Sequence, residues 1–272
     1  MKIQNDCETS VVIRTRDSEA GFCDLLKILS VQTVKPSQLI VVDNHTCKEK
    51  LEEMKILLSR AKKDLFHNNI SIRLVPLLSS VFSHPYSTNL GLFYSENEFV
   101  CITNGHSLPI SQTWLENGLI HFKDPMVAGV SGYFHTSPNA SVWEKFHIFL
   151  WATSKEATNT SWKDHHFSTI NGLLRKSCWK EYSFDENLPK IVPGSRRYGG
   201  EDYDWGLEMT ARGYKIIVEP KFDVYHSHNE SFSPFLSRRI AYQRLRSGIR
   251  RFKRPRRSFT EVFDRKNDVY EL

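Results

Sequence analysis

The 272-residue sequence contains no apolar run of about 18 residues, the length a bilayer-spanning helix needs. Its first residues also lack the basic-then-apolar layout of a secretory leader. Both absences make the cytosol the expected compartment. Cysteine is scarce, and Cys7, Cys23, Cys47, Cys101 and Cys178 include no Cys-x-x-Cys pair. An odd count scattered in this way argues against a disulfide framework or a zinc knuckle and leaves reduced packing residues. Internal repeats and low-complexity tracts are missing too. Acidic residues are absent from one long stretch: between Arg238 and Arg257 there are ten Arg or Lys and no Asp or Glu. The whole chain carries a net charge of only +6, so everything outside that stretch is net acidic.

What is present suits a packed core, with 40% of residues hydrophobic and 25% charged. Val11 to Arg14 form a short β-branched run, Gly21 to Val31 carry helix-spaced apolar residues, and Leu39 to Val42 form a second apolar run ending at Asp43. This order predicts strand, helix and parallel strand. Further strands are expected at Ile72 to Pro76 and at Phe99 to Thr103, with a helical stretch at Asn89 to Ser95 between them. Downstream, Thr113 to Phe122 is helix-like, Val127 to Phe134 and Thr169 to Leu174 are strand-like, and Tyr203 to Arg212 is a helix stopped by Gly213. Lys215 to Val218 reads as a last strand before Pro220. The whole is an open α/β sheet flanked by helices. In such sheets ligands lie outside the carboxyl ends of strands where the strand order reverses. The residues to watch are therefore Arg16 and Asp17, then Asp43 and Asn44, then Asn104 to His106.

Four segments in this order resemble the family-2 inverting glycosyltransferases of GT-A fold: VVIRTRD, LIVVDN, NLG followed by CITNGHSLP, and GGEDYDWGLEMTARGYKIIVEP. The first three also resemble bacterial rhamnosyltransferase-like members, in which a Phe-x-His-x segment precedes Asn-x-Gly, as Phe82 to Gly91 does here. The resemblance implies a mostly parallel twisted sheet with a nucleotide half at about 9–109 and an acceptor half at about 110–228, followed by a basic helical tail at 229–272. It also implies transfer of a sugar from a nucleotide-diphosphate donor to an acceptor hydroxyl. A lipid-linked glycan of bacterial surface polysaccharide synthesis is the implied acceptor. Two other classes stay in view. A non-catalytic nucleotide-sugar-binding relative is opposed by the retained Glu201-Asp202 pair, and a nucleotidyltransferase by the lack of a glycine-rich, lysine-bearing loop after the first strand.

The resemblance assigns Thr15, Arg16 and Asp17 to the nucleotide pocket, with Asn89 beside them. It gives Asp43 the task of accepting hydrogen bonds from base or ribose; the alternative is an Asp-Asn turn at a strand end. The family's Asp-x-Asp is replaced here by Asn104-Gly105-His106, in an alignment anchored by Pro109. Imidazole in the metal-facing slot shifts the expected divalent ion from Mg²⁺ toward Mn²⁺, with His226 or His228 as further ligands. Metal-independent neutralisation of the diphosphate by arginines is the competing reading. Asp202 of the Glu201-Asp202 pair corresponds to the family's base, the alternative being a helix N-cap. Trp205 either stacks on a sugar or is a buried aromatic.

In the tail, Tyr242, Leu245, Ile249 and Phe252 form one apolar seam on a strongly cationic helix expected over Phe235 to Phe252. That combination suits the anionic inner face of a cell membrane. A solvated helix packed on the core by the same seam is the alternative. Nucleic acid is not expected as a partner, because no recognised nucleic-acid module accompanies the basic run.

Overall fold

The computed structural model describes residues 8–17, 20–78, 80, 82–146, 167–229, 231–251 and 268–272. The basic residues beyond Arg251, and Phe252 of the expected seam, lie outside them. Strands β1 (Thr9–Thr15), β2 (Gln38–Asp43), β3 (Ser71–Pro76) and β4 (Phe99–Asn104) pair in parallel in the order β4-β1-β2-β3. Their apolar runs need no alternation because helices cover both faces. Helix α1 (Phe22–Ser30) and helix α2 (Lys48–Asp64) bury Leu25, Leu26, Leu29, Leu51, Met54 and Leu58 in one core together with Val11, Ile13, Leu39 and Val41. Helix α3 (His84–Tyr94) lies with Val12, Ile40 and Val42 on the opposite face. Gly91 makes that approach close, since a Cβ there would sit 2.3 Å from the Val12 side chain.

The second half adds β5 (Leu108–Pro109), β6 (Val127–His135), β7 (Asn171–Arg175), β8 (Lys215–Tyr225) and β9 (Tyr270–Glu271), giving the order β5-β8-β6-β7-β4-β1-β2-β3-β9. β7 is antiparallel to both β4 and β6, whereas β8 runs parallel to β6. The chain passes from β1 to β2 and β3 on one side, then places β4 on the other side of β1. The strand order therefore reverses between β1 and β4, which puts a crevice at their carboxyl ends.

Expected strand positions hold to within a residue or two except at β8, which continues through Pro220 to Tyr225. Its register to β6 jumps between Gly132↔Glu219 and Phe134↔Val224, so Pro220 falls in the irregularity, where no ladder bond needs its missing N–H. After the helix Glu201–Ala211 and β8, the basic segment forms a 20-residue helix, Phe232–Arg251. Among the described residues, no helix is long and apolar enough to cross a membrane.

Candidate active site

The crevice is organised by Arg14, one residue before the segment's expected contacts. Its guanidinium donates to Thr88 Oγ1 (3.0 Å), Asn104 Oδ1 (3.0 Å) and both the carbonyl and hydroxyl of Thr169 (3.1 Å each), and lies 3.7 Å from Glu201. One side chain thus ties β1, α3, β4, the loop before β7 and the helix Glu201–Ala211 together. A charged residue inside an apolar strand run was the available signal, and sequence reasoning passed over it.

At the β1 and β2 ends, Asp17 adopts φ +52°, its N–H donates to Asp43 Oδ1 (3.0 Å), and its Oδ1 accepts from Thr46 N–H (2.8 Å). Asp43 is fully buried and Thr15 nearly so, while Arg16 is exposed. In this conformation one carboxylate oxygen of Asp43 holds the Asp17 loop at the strand ends. Asn89 is a clear correction. Its Nδ2 donates to the Phe184 carbonyl and Glu186, and its Oδ1 accepts from Trp179 Nε1 and Phe184 N–H. Two donors and two lone pairs are all an amide has, so this buried Asn89 is saturated inside the protein and has nothing left for a donor sugar. Trp205 is also settled: it is fully buried against Phe167 and Phe184, with Nε1 donating to the Tyr182 carbonyl, and presents no face to a sugar.

Asn104 and Gly105 turn the chain after β4. Asn104 Oδ1 receives Arg14, and Gly105 N–H donates to the Arg14 carbonyl (2.9 Å). The turn aims His106 at the end of β8. There the His106 and His226 rings stack with centroids 4.6 Å apart, and His228 lies edge-on to both, at 5.3 and 4.7 Å. One nitrogen from each ring falls within 4.8 Å of the others, and His226 Nε2 is 3.2 Å from His228 Nε2. Ser107 Oγ holds His226 Nδ1 at 3.0 Å, the outer-shell arrangement that orients a ligating imidazole. Burial, then the charges of His106 and His228, push His226 well below the usual imidazole range, which keeps it in the neutral form that ligates. Glu144 accepts from the N–H groups of His228 (3.1 Å) and Asn229 (3.3 Å) and so fixes the loop that carries the cluster. A three-imidazole set of this spacing fits a divalent ion.

Glu201 and Asp202 open their helix behind Gly199 and Gly200, whose φ values are +75° and +97°. Glu201 is buried and its carboxyl is raised, chiefly by burial, with Arg14 opposing. Asp202 is partly buried. Its Oδ1 accepts from Tyr203 N–H (2.7 Å) and its Oδ2 from Thr169 N–H (3.2 Å). Burial and the neighbouring Glu201 push its pKa up to about 6. A carboxylate held by two backbone donors and shifted toward neutrality is both positioned and suited to accept a proton near neutral pH. His84, the histidine of the Phe-x-His-x segment, to which the sequence assigned no role, lies within electrostatic reach of Arg14 and Asp202 and is pushed down to about 4 by burial and then by Arg14.

The C-terminal helix packs over this region. Leu245 and Ile249 of the expected seam are buried with Leu188, Val192 and Tyr203, and a Cβ on Gly200 would meet them at 2.9 and 3.0 Å. Those two seam residues are thus used inside the molecule. A different apolar stripe on the helix is exposed, namely Phe232, Leu236 and Ile240, with the Trp143 ring tilted against Phe232 at a centroid distance of 4.7 Å.

No protein-family model matches the chain, and no curated protein matches it. Among solved structures it is similar to the mannosyltransferase PcManGT from Pyrobaculum calidifontis in complex with GDP-Man and Mn²⁺, with a TM-score of 0.64 and 18% identity over 91% of this chain and 66% of that one. It is also similar to S. aureus TarS 1-349, at TM-score 0.56 and 16% identity over 87% and 65% of the two chains. The complex of TarS 1-349 with UDP-GlcNAc gives TM-score 0.54 and 15% identity over 83% of this chain and 60% of that one. The chain spans just under two thirds of the length of these proteins. What is shared at this identity is the fold, and the chain has the α/β GT-A architecture expected from its four segments.

Proposed function

We propose that the chain transfers a sugar from a nucleotide-diphosphate donor to an acceptor hydroxyl with inversion at the anomeric carbon. The observation that carries this reading is Asp202, a partly buried carboxylate raised to about 6 and fixed by two backbone N–H groups at the edge of a nucleotide-type crevice. In the proposed reaction the acceptor hydroxyl loses its proton to Asp202 as its oxygen attacks C1, and the nucleoside diphosphate leaves from the opposite face. Arg14 and Thr169 position Asp202 and Glu201 for this step. His106, His226 and His228 would hold a divalent ion, whose contribution is to neutralise charge on the departing diphosphate. Mn²⁺ is the expected ion, in keeping with the imidazole donors and with the Mn²⁺ in the PcManGT complex. The GDP-Man and UDP-GlcNAc bound to the similar structures support a nucleotide-sugar donor here.

The acceptor in this reading is a lipid-linked glycan of a bacterial surface polysaccharide, with the rhamnosyltransferase-like members as the resemblance behind it. The enzyme works at the inner face of the cell membrane. Support comes from Phe232, Leu236, Ile240 and Trp143, which are exposed beside a helix that carries six arginines and no acidic residue. Apolar side chains flanked by basic ones suit an anionic lipid surface.

The test is a screen of nucleotide sugars for enzyme-dependent hydrolysis and thermal stabilisation, with Mn²⁺, Mg²⁺ or EDTA. Hydrolysis of at least one nucleotide sugar is expected, with near-complete loss in Asp202→Asn. Failure of every donor to bind would favour a scaffold protein and overturn the enzymatic reading.

A further inference from the structure

The helix Phe232–Arg251 does more than cover Gly200. Arg239, Arg246 and Arg250 are seven and four residues apart, which places them along one face of the helix, next to its buried Leu245 and Ile249. All three are exposed. The Arg246 guanidinium carbon lies 5.4 Å from the Tyr203 ring centroid and that of Arg250 5.6 Å, and Arg250 Nε donates to the Tyr203 hydroxyl. Tyr203 follows Asp202 directly, and the Arg246 charge reaches the Asp202 carboxylate. Arg239 feels burial and the charge of Arg246, so the cations crowd one another. Among the described residues, Arg238 of the same helix has an ion-pair partner in Glu144, whereas neither Arg246 nor Arg250 is ion-paired to a carboxylate.

Arg246 and Arg250, exposed and without a carboxylate ion pair among the described residues, are arranged for an anion that arrives from outside, and the planar fork of arginine matches phosphate oxygens. The donor diphosphate has its own site in the proposed reaction, at the histidine cluster on the end of β8. We propose that Arg246 and Arg250, with Arg239, form an acceptor-side subsite for a phosphate group, so that the hydroxyl presented to Asp202 belongs to a phosphate-bearing acceptor. This rests on Asp202 being the base of a transferase. Tyr203 couples the two features, because its backbone N–H holds Asp202 while its ring and hydroxyl hold the two arginines.

The test measures binding of inorganic phosphate and of glycerol 3-phosphate to the full chain, without added metal and at low ionic strength. Arg246→Gln/Arg250→Gln should weaken both at least about tenfold, and Arg246→Lys/Arg250→Lys should fall between, since lysine keeps the charge but not the fork. Arg244→Gln/Arg251→Gln, which removes the same charge from another face of the helix, should change little. Because Arg250 also bonds Tyr203, melting curves accompany each variant, and the single Arg246→Gln carries the test if the double variant is unfolded. Equal weakening by the Arg244/Arg251 pair, or unchanged binding in Arg246→Gln/Arg250→Gln, would overturn the proposal. So would phosphate binding that disappears in His106→Ala instead, because that phosphate would then sit at the donor site. Vesicles with and without phosphatidylglycerol separate the sources: vesicle binding lost with the same pair puts the phosphate in a lipid headgroup, and vesicle binding kept while glycerol 3-phosphate binding is lost puts it in a soluble acceptor. Nucleotide-sugar hydrolysis with no phosphate subsite sinks this inference alone, whereas a phosphate subsite without any donor turnover sinks the transferase reading.

Discussion

Asp202→Asn keeps the size of the side chain and removes its charge, and the structure gives the two consequences opposite signs. The folded protein holds the Asp202 proton with a pKa of about 6, against an ordinary 3.8. Two units at about 1.36 kcal/mol each mean that ionising this carboxyl costs the fold about 3 kcal/mol. Well below the ordinary 3.8 the group is neutral in folded and unfolded chains alike, and the cost is absent. As pH rises through about 6 the cost develops fully, and above that it is constant. An amide never ionises, so the stability of Asp202→Asn relative to wild type should grow by about 3 kcal/mol from acid to neutral pH, about half of it between pH 5 and pH 8. The amide has one oxygen to meet the Thr169 and Tyr203 N–H groups, so it forfeits one bond worth about 1 kcal/mol at every pH. Urea denaturation of both proteins at pH 5 and pH 8 measures the difference free of that constant. Sugar transfer should meanwhile fall by about 10²-fold or more, the usual worth of a positioned base. A stability difference that stays flat between the two pH values would refute the account of the carboxyl, and near-normal turnover would refute its role as base.

Wild-type transfer should rise with pH through about 6 and then level, because the ionised Asp202 is the active form; a rate already maximal at pH 5 would contradict this. Mn²⁺ at about 100 times its Kd should stabilise wild type by about 2.7 kcal/mol in thermal melts, and His106→Ala or His226→Ala should lose that response; full activity after exhaustive EDTA treatment would show that protein cations neutralise the diphosphate instead. Arg14→Met leaves Glu201 buried without its cation and should cost about 3 kcal/mol, less at pH 5 than at pH 8 because Glu201 then escapes by taking a proton; equilibrium unfolding at the two pH values checks it. Gly200→Ala forces an L side chain to φ +97° against Leu245 and Ile249 and should cost about 2 kcal/mol, read from the same unfolding curves.

The strands of the nucleotide half were legible because a parallel strand buried on both faces must be an unbroken apolar run, and Val11 to Arg14, Leu39 to Val42 and Phe99 to Thr103 could be little else. Helix α2 went unseen because only Leu51, Met54, Leu58 and Ala61 of its seventeen residues face the core, and its charges hid the period. β8 was cut short at Pro220 because the rule against proline in a strand holds only where a ladder bond is needed, and the jump in pairing that removes the need is a property of two strands together. At the site, the sequence supplied residue types at strand ends: His106, His226, His228, Glu201 and Asp202. The pairing of β6, β7 and β8 decided that histidines about 120 residues apart would stack, while Arg14 decided that the Asn104 turn and Glu201 would share one cation. The sequence could not tell that Asn89 spends every hydrogen bond internally, that Trp205 is walled in, or that Leu245 and Ile249 face Gly200. Those outcomes depend on which surfaces meet. Local pattern sets the period and chemistry of each segment, whereas the partner that saturates an amide or buries a seam comes from elsewhere in the chain and is chosen only when the whole sheet has closed.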